Sequence, residues 1–339
     1  GRQEITDNDI EAVVEALRSS FLTQGPAVPH FERAVAARVG AARAVAVNSA
    51  TSALHVACAA LDLGRGDWLW TSPNTFVASA NCALYCGASV DFVDIDPATW
   101  TMSPDALAAK LETAAREGRL PKIVVPVHLC GQSCDMAAIG ALAKRYGFHV
   151  VEDASHAIGG RYRGEPVGTC RHSDVTVFSF HPVKIVTTGE GGAAVTNDAA
   201  LADRMERLRS HGITRDPALM THAPDGPWYY QQIELGWNYR MTDIAATLGT
   251  SQRDRLDDYI ARRHTLVRRY DKAFESLPLQ RPVQHPDAFS AFHLYVIRVH
   301  DRARHRAIFE GLRARGMGVN MHYIPVHLQP FYRRMGFAP

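Results

Sequence analysis

The sequence predicts an α/β protein with a large domain built on a mostly parallel, mixed sheet and a smaller α+β C-terminal domain. Its 339 residues suit one large domain plus a smaller one. From about residue 44 to residue 197, short apolar runs alternate with longer helical patterns. That alternation is typical of a largely parallel sheet covered by helices on both faces.

The apolar runs share the length and composition of strands, and helix-sized stretches lie between several of them. Because ligands of such sheets bind outside the carboxyl ends of the strands, we expect the chemistry at that edge. The predicted strands are Ala44–Val47, Trp68–Thr71, Ser89–Val93, Ile123–Pro126, His149–Val151, Val175–Phe178 and Ala193–Thr196. The predicted helices between them are Thr51–Leu63, Thr75–Gly87, Pro104–Ala115 and Met136–Tyr146.

The pattern changes after Gly212. Asp216–Trp228 is rich in Pro and Gly, which predicts an irregular loop. One long helix is predicted from about Thr242 to Phe274. Beyond it we expect a strand at His293–Val299, a helix at Arg302–Arg315 and a strand at Gly318–Met321. The large domain is therefore assigned to residues 1–240, with 1–30 leading in, and the small domain to residues 241–339.

Composition narrows the class of function. The 37 Lys+Arg against 35 Asp+Glu give a formal net charge of +2, which favours neither a nucleic-acid binder nor a polybasic membrane module. No apolar run approaches the roughly 20 residues that span a bilayer. The first residues lack the pattern of a secretory signal. We therefore expect a cytoplasmic protein that binds neither nucleic acid nor membrane.

No metal site is expected. His128, Cys130 and Cys134 are near neighbours, but their spacing matches no C-x₂-C pair and no second ligand cluster follows. Disulfide frameworks belong to short secreted chains, so the six cysteines are expected to be reduced, structural thiols.

Asp153 ends the apolar run that begins at Val150. A buried carboxylate is costly unless it pairs with a cation. Opposite a pyridinium nitrogen it would keep that nitrogen protonated, so that the ring acts as an electron sink. The alternative is that Asp153 caps a turn or a helix N-terminus.

Lys184 follows a predicted strand that delivers Ser179, and it precedes the glycine-rich stretch Thr187–Gly192. A lysine whose pKa is lowered by desolvation can form an imine with an aldehyde cofactor. A lone lysine is usually a solvated surface charge, but the residues around Lys184 are apolar or small, which weakens that interpretation.

Small hydroxyl residues open the helix that follows the first strand, in the segment Asn48–His55. A helix N-terminus with free N–H groups and hydroxyls is a ready phosphate site. Simple N-capping by Ser or Thr is the alternative. The chain contains no G-x-G-x-x-G and no G-x-x-x-x-G-K-[ST], so neither dinucleotide nor NTP binding is indicated.

These elements stand in an ordered series of short motifs, which together are highly specific. In that series the sequence resembles, over essentially its whole length, the sugar aminotransferases of the DegT/DnrJ/EryC1/StrS family. The resemblance implies the fold type I of pyridoxal-phosphate-dependent transferases, which is like that of aspartate aminotransferase. The motifs are Phe21–Pro26, Asn48–Leu54, Ser72–Phe76, Val93–Asp96, Pro126–His128, Glu152–Asp153, Ser179–Lys184, Gly236–Asp243 and His322–His327.

The resemblance assigns roles around the cofactor ring. Lys184 is implied to hold pyridoxal 5'-phosphate as a Schiff base and later to move the proton. Asp153 would pair with the pyridine nitrogen, and Phe76 would stack on the ring. His156 would lie beside the ring, near its phenolic oxygen.

Further roles concern the phosphate and the sugar. Thr51, Ser52 and Ser179 are implied to hold the phosphate, helped by Asn238 from a second subunit, which implies an obligate homodimer with shared active sites. His322 and Tyr323 would approach the sugar. Family members continue into further helix and strand, so the small-domain part of the substrate site is expected to be incomplete in this chain.

A finer resemblance concerns the substrate. The segments Ser179–Lys184, Thr187–Gly192, Ser210–Asp216 and Gly226–Tyr230 look like those of the transaminases of pseudaminic acid biosynthesis. That resemblance implies amino transfer from L-glutamate, which becomes 2-oxoglutarate. The acceptor would be C4 of a UDP-linked 2-acetamido-2,6-dideoxy-4-keto-hexose, giving UDP-4-amino-4,6-dideoxy-N-acetyl-β-L-altrosamine.

Three alternatives remain open. The acceptor could be another nucleotide sugar, such as the D-configured 4-keto sugar or a 3-keto sugar. Pyridoxamine-dependent sugar dehydration occurs in the same family with histidine in place of the Schiff-base lysine, and the presence of Lys184 disfavours it. A non-catalytic regulator that keeps the fold is a third class, which the joint presence of Asp153, Lys184, Ser179 and Asn238 argues against.

Overall fold

Seven strands form one sheet at the centre of the computed structural model, which describes residues 3–338. Their order across the sheet is β1-β9-β8-β5-β4-β2-β3. The strands are β1 (Arg43–Val47), β2 (Trp68–Thr71), β3 (Ser89–Phe92), β4 (Ile123–Val125), β5 (His149–Asp153), β6 (Arg161–Tyr162), β7 (Glu165–Pro166), β8 (Val175–Ser179), β9 (Gly192–Thr196), β10 (Ile213–Thr214), β11 (Gln231–Gln232), β12 (Leu279–Gln280), β13 (Ala288–Phe289) and β14 (Arg298–Val299).

The sheet is parallel apart from β9. Strands β3, β2, β4, β5 and β8 pair in parallel, whereas β9 runs antiparallel to both β8 and β1. The prediction of a mostly parallel mixed sheet is confirmed. All its predicted strands are present, with end points shifted by no more than a few residues.

Helices cover the sheet. They are α1 (Asp7–Arg18), α2 (Ala27–Val39), α3 (Ala50–Ala60), α4 (Ala78–Tyr85), α5 (Pro104–Glu117), α6 (Met136–Tyr146), α7 (Ala199–Leu208), α8 (Asp243–Arg253), α9 (Leu256–Ala273), α10 (His305–Ala314) and α11 (Pro330–Arg334). Short 3₁₀ turns lie at Leu129–Gly131, Pro217–Leu219, Arg302–Arg304 and Val326–Leu328.

The central strands are buried on both faces, which explains their continuous apolar sequences. On β8, Val175 and Val177 pack into the cluster with α3, α4 and α7, whereas Phe178 packs with α2 on the opposite face. Burying a valine or phenylalanine side chain contributes roughly 1.5–3 kcal/mol. The two-sided core therefore fixes the plane of the sheet and the positions of its strand ends.

Local signals set the helix ends. The Ser103 side chain caps α5 by accepting the N–H of Ala106 at 3.2 Å, and Pro104 takes the first helical position. Gly118 ends the same helix at φ 66°, a backbone conformation that favours glycine.

The predicted helix from Thr242 to Phe274 is two helices, so the single-helix prediction is wrong. The break falls at Asp254 and Arg255, between α8 and α9. At this break the Arg255 guanidinium donates to the buried Asp9 carboxylate of α1 at 2.7 Å. The backbone of Arg255 is itself non-helical there, with φ −98° and ψ 8°. Its ion pair reaches a residue far away in sequence, and no periodicity within the helix reports such a pair.

The strand predicted at His293–Val299 forms only at β14, where Arg298–Val299 pairs with β12. Upstream, the backbone bonds to a turn instead: the Ala291 N–H donates to the Gly131 carbonyl at 2.9 Å and the Leu294 N–H to the Cys130 carbonyl at 3.3 Å. The Leu294 N–H, which a strand at His293–Val299 would use, is therefore taken.

Of the remaining predictions after Gly212, one helix and one irregular loop are confirmed and one strand is wrong. The helix predicted at Arg302–Arg315 is present as α10 after a 3₁₀ turn. The strand predicted at Gly318–Met321 does not form, and the Val319 carbonyl accepts from the Arg313 side chain at 3.2 Å. The Asp216–Trp228 loop is irregular apart from one 3₁₀ turn, as predicted.

Both ends of the predicted small domain touch the large one. Helix α8 packs on α1 and α2. Near the C-terminus, the Val326 N–H donates to the Pro73 carbonyl at 2.8 Å, and the Tyr332 hydroxyl donates to Asn81 at 2.6 Å. The division at residue 240 stays a prediction. No helix within residues 3–338 is both long and apolar enough to cross a membrane.

Candidate active site

Asp153 lies at the carboxyl end of β5, in the middle of the sheet, and is 5% exposed. Its Oδ1 accepts the Ser155 N–H at 3.1 Å, and its Oδ2 accepts the Ser79 hydroxyl at 2.6 Å. Since each carboxylate oxygen has a second lone pair, these bonds leave each oxygen able to accept from a further donor. A buried carboxylate of this kind is suited to a cationic partner.

Lys184 lies in the connection between β8 and β9, at the same edge of the sheet. The connection is closed by the Phe180 N–H, which donates to the Gly191 carbonyl, and by the Thr188 N–H, which donates to the Phe180 carbonyl, both at 2.9 Å. Burial lowers the pKa of the Lys184 ammonium to about 8, against the opposing attraction of the Asp153 carboxylate. The amine is therefore available as a nucleophile near neutral pH.

The N-terminus of α3 borders this edge. Ser49 caps the helix by accepting the Ser52 N–H at 3.1 Å, and the Ser52 hydroxyl donates to Asn48 at 2.6 Å. Gly192, the first residue of β9, passes so close that a Cβ there would lie 2.5 Å from the Ala50 nitrogen. The early amides of α3 are suited to an anion.

Ser179 ends β8 and is buried, and Thr51 is half-buried in the first turn of α3. The Ser179 hydroxyl accepts the His181 N–H at 3.5 Å. The side chain of Ser52 is already engaged with Asn48 and Ser49. The phosphate-binding role of Thr51, Ser52 and Ser179 stays a prediction.

His156 is buried beside this group. Its Nδ1 lies 3.2 Å from the Cys130 backbone nitrogen, whose N–H it accepts, so the ring proton resides on Nε2. Burial, and then the positive charge of Lys184, lowers the pKa of His156 well below its ordinary value. His156 is therefore a neutral donor at working pH.

The last segment of the chain closes one side of the site. The Tyr323 N–H donates to Asn74 at 3.0 Å, and the Tyr323 hydroxyl lies 3.5 Å from Nε2 of His156. Burial lowers the pKa of His322 and raises that of the Tyr323 phenol, so both are neutral at pH 7. Phe76 is 58% exposed, with its ring centroid 6.4 Å from that of Tyr323.

Asn238 belongs to a segment that runs along β1 of its own chain. Its backbone forms an antiparallel β-bridge with Ser210, and the carbonyl of the neighbouring Tyr239 accepts the Asn48 N–H at 2.8 Å. The contribution of Asn238 to a second subunit's site stays a prediction, as does the homodimer.

Sequence reasoning missed His293. Its ring centroid lies 4.5 Å from that of His156, it is 8% exposed, and its Nδ1 is buried without a hydrogen-bond partner among the described residues. Burial, and then the charges of Lys184, Arg263 and His322, lowers its pKa well below the ordinary value. The only signal was one histidine in an apolar run, which does not distinguish a site residue from a core residue.

A second buried group, to which the sequence analysis assigned no role, lies next to Asp153 on β5. Glu152 accepts from His128 Nε2 at 2.6 Å and from Thr176 at 2.9 Å, and it also accepts from Ser173. The other ring nitrogen of His128 accepts the Cys134 N–H at 3.2 Å. All these polar groups are satisfied by protein partners, and no set of three metal-ligating side chains occurs within residues 3–338.

The geometry brings together Asp153 at the end of β5 and Lys184 in the connection after β8, the two residues that the sequence singled out. One edge of the sheet carries an amine of lowered pKa, a buried carboxylate, a helix N-terminus and neutral imidazoles. An amine can form an imine with an aldehyde, a carboxylate can pair with a ring cation, and a helix N-terminus can bind a phosphate.

Comparison with known proteins identifies the family that the sequence resembles. The model of the DegT/DnrJ/EryC1/StrS aminotransferase family matches residues 3–338. The spore coat polysaccharide biosynthesis protein SpsC of Bacillus subtilis is 41% identical over 97% of this chain and 84% of its own. The UDP-4-amino-4,6-dideoxy-N-acetyl-beta-L-altrosamine transaminase of Campylobacter jejuni is 37% identical over 98% of this chain and 85% of its own.

Among solved structures, the chain is similar to Helicobacter pylori PseC, an aminotransferase involved in the biosynthesis of pseudoaminic acid. The TM-score is 0.90 at 30% identity, covering 100% of this chain and 88% of that one. The predicted fold type I, the sugar aminotransferase activity and the pyridoxal phosphate cofactor are confirmed. The chain belongs to the DegT/DnrJ/EryC1/StrS aminotransferase family.

Proposed function

We propose that this enzyme transfers the amino group of L-glutamate to C4 of a UDP-linked 2-acetamido-2,6-dideoxy-4-keto-hexose. The observation that carries the transfer chemistry is the meeting of Lys184 and Asp153 at one edge of the sheet, the first with its pKa lowered to about 8 and the second buried. The choice of sugar rests on the Campylobacter transaminase at 37% identity and on the likeness to PseC.

The donor set fits pyridoxal phosphate. Asp153 retains hydrogen-bonding capacity for a protonated ring nitrogen, and Gly192 leaves the first turn of α3 with no side chain from β9 against it. When bound, the cofactor supplies an aldehyde that accepts the amino group and a ring that stabilises the adjacent carbanion.

The chain's own residues then divide the work. The unprotonated Lys184 amine would hold the aldehyde of the cofactor and, when free, would act as the base that takes the proton from Cα of the amino donor and returns it to the cofactor. Asp153 would pair with the ring nitrogen, and the neutral His156 would lie beside the ring. Thr51, Ser52 and Ser179 would hold the phosphate, Phe76 would stack on the ring, and His322 and Tyr323 would contact the sugar.

The enzyme acts as a homodimer in which Asn238 completes the phosphate site of the partner. Exposed apolar side chains near that segment support an interface, among them Trp228 at 72% and Leu235 at 77% exposure. A charge change at Asn238 should therefore weaken cofactor retention in the neighbouring subunit.

The first test is the visible absorption spectrum of the purified protein, before and after L-glutamate is added. A yellow band that bleaches on addition would establish both the cofactor and the donor half of the reaction. A protein whose yellow band does not change when glutamate is added would overturn the proposed donor, and one that takes up no pyridoxal phosphate would overturn the proposed role of Lys184.

The sugar is then identified by the reverse colour change. The protein bleached by glutamate is freed of excess donor and mixed with UDP-linked 4-keto HexNAc sugars of the L and D series, in separate reactions. The proposal predicts the fastest return of the yellow band with the L-configured sugar. Faster return with the D-configured sugar, or with a 3-keto sugar, would replace the substrate and leave the transfer chemistry intact.

A further inference from the structure

We propose that Thr75 and Ser79 form a relay of hydroxyl groups that orients the Asp153 carboxylate toward the ring nitrogen of the cofactor. Ser79 is then a positioning residue of the active site, and Thr75 positions Ser79. The inference rests on the proposed pairing of Asp153 with that nitrogen.

The relay is buried and its contacts are short. Ser79 lies in the first turn of α4 and is fully buried, and its hydroxyl is 2.6 Å from Oδ2 of Asp153. Thr75 is 2% exposed, and its hydroxyl lies 2.9 Å from the Ser79 hydroxyl. Because both groups are buried, each needs a hydrogen-bond partner, and each has one in the other.

The direction of the relay follows from the donors available. An ionised carboxylate only accepts, so the single Ser79 proton goes to Asp153. The Phe76 carbonyl, at 3.3 Å, is a more distant acceptor for the same proton. With its proton committed, the Ser79 oxygen can only accept from Thr75, and the relay runs from Thr75 through Ser79 to Asp153.

The 2.6 Å contact has the length of a hydrogen bond between a hydroxyl and a charged carboxylate. The other oxygen of Asp153 is held from a different direction by the Ser155 N–H. Fixing both oxygens fixes the plane of the carboxylate. The lone pairs that remain are then aimed by the protein before any ligand arrives.

The relay also connects two contacts to the same ring. Thr75 and Ser79 flank Phe76, which is proposed to stack on the face of the ring. One short segment at the start of α4 would therefore set both the ring-face contact and the orientation of the carboxylate at the ring nitrogen. No side chain caps the N-terminus of α4, so helix capping does not explain the hydroxyls of that segment.

The test is Ser79→Ala, measured by cofactor retention and by spectrum rather than by turnover alone. Loss of a hydrogen bond to a charged group predicts a dissociation constant for pyridoxal phosphate raised by roughly tenfold. A less well-held Asp153 should also shift the pH midpoint of the yellow band that arises when Lys184 joins the cofactor. A role confined to folding would not move that midpoint.

Ser251→Ala is the matched control. The Ser251 hydroxyl also donates at 2.6 Å to a buried carboxylate, that of Asp9 on α1, which has no proposed role in cofactor binding. Ser251→Ala should lower thermal stability yet keep wild-type cofactor affinity and pH midpoint. If Ser79→Ala and Ser251→Ala behave alike in cofactor binding, the relay is overturned.

Thr75 supplies a second pair of variants, which decides the matter if Ser79→Ala does not fold. Thr75→Ser keeps the hydroxyl and should retain wild-type affinity, whereas Thr75→Val keeps the shape and should weaken binding by a few-fold. Equal affinities for the two variants would overturn the relay. Failure of the wild-type protein to take up cofactor would instead overturn the proposed function.

Discussion

Two parts of the chain supply the candidate site, and each holds its side chains differently. Asp153, Ser179 and Lys184 come from strands β5 and β8 and the connection after β8, whose backbones are paired in a buried sheet. His293 comes from an irregular segment held by two hydrogen bonds to the turn at Cys130 and Gly131. The first part is held by many cooperative contacts and the second by a few specific ones.

The difference bears on how each part fails. A strand in the middle of a sheet shares its position among ladder hydrogen bonds and core packing, so removing one side chain leaves its backbone in place. An irregular segment with few anchors moves when one anchor is lost. Substitutions in the sheet part should change the chemistry of the site while its backbone stays in place. Substitutions in the irregular part should move the backbone that carries His293.

The largest effect is expected for Lys184→His. Because this residue is proposed to act as both anchor and proton carrier, amino transfer should fall by about 10³-fold or more, and the yellow band should disappear. The fold should survive, since the sheet holds this part. Absorbance spectra and single-turnover rates measure the effect, and Lys144→His on the exposed face of α6 is the control. A Lys184→His protein that keeps the yellow band would show that Lys184 does not hold the cofactor.

Gly131→Ala tests the anchoring turn of the irregular segment. Gly131 has a φ of 107°, and a Cβ there would lie 2.8 Å from the Phe292 nitrogen and 3.0 Å from the His293 nitrogen. The free energy of unfolding should fall by about 2–3 kcal/mol. Gly64→Ala, where a Cβ meets nothing within 4 Å, should be nearly neutral in the same denaturant titration. Equal stability of the two variants would contradict tight packing at the turn.

The pH dependence of stability tests the burial of Lys184. Its pKa is about 8 in the folded chain against an ordinary 10.5, so between these values the unfolded chain binds more protons and stability rises with pH. Lys184→Met lacks this dependence. In cofactor-free protein, the wild type should gain about 2 kcal/mol relative to Lys184→Met between pH 7 and pH 10. Parallel stability curves for the two proteins would exclude a lowered pKa.

The smallest effect is expected for Arg263→Gln, which removes an anchor of the irregular segment. Nη1 of Arg263 donates to the carbonyls of Phe292 and His293 at 3.1 and 3.0 Å. Stability should fall by only about 1 kcal/mol, and kcat/KM should fall about fivefold as His293 shifts beside His156. Arg262→Gln, at an exposed position on α9, should change neither. A change in stability without a change in kcat/KM would place His293 outside the working site.

The same division explains what could be predicted from the sequence. The strands of the main sheet could be predicted because their burial on both faces leaves continuous apolar runs, as in Val175–Phe178. Asp153 and Lys184 could be singled out because each follows such a run, and resemblance to a family supplied their roles. The roles of Ser79 and Thr75 could not be predicted, because a hydroxyl bonded to a carboxylate 74 residues away leaves no local pattern.

The C-terminal half was less predictable for a related reason. An ion pair between Arg255 and Asp9 lies at the break before α9, and backbone groups of the Cys130 turn bond to the irregular segment at His293. Both are contacts between residues far apart in sequence, and such contacts override local propensity. Periodicity within a window of ten or twenty residues cannot report them.

The reversed direction of β9 has a consequence for how this enzyme can vary. Because β9 enters the sheet at the edge where β8 ends, the connection carrying Lys184 joins two adjacent strand ends directly and has both of its ends fixed in the sheet, whereas successive parallel strands need a crossover from one edge to the other. Insertions in the crossover loops at the opposite edge should be tolerated, since they leave the strand ends in place. A single residue added between Phe180 and Gly191 would carry the lysine out of reach of Asp153, so the length of this connection is expected to be the least variable in the molecule.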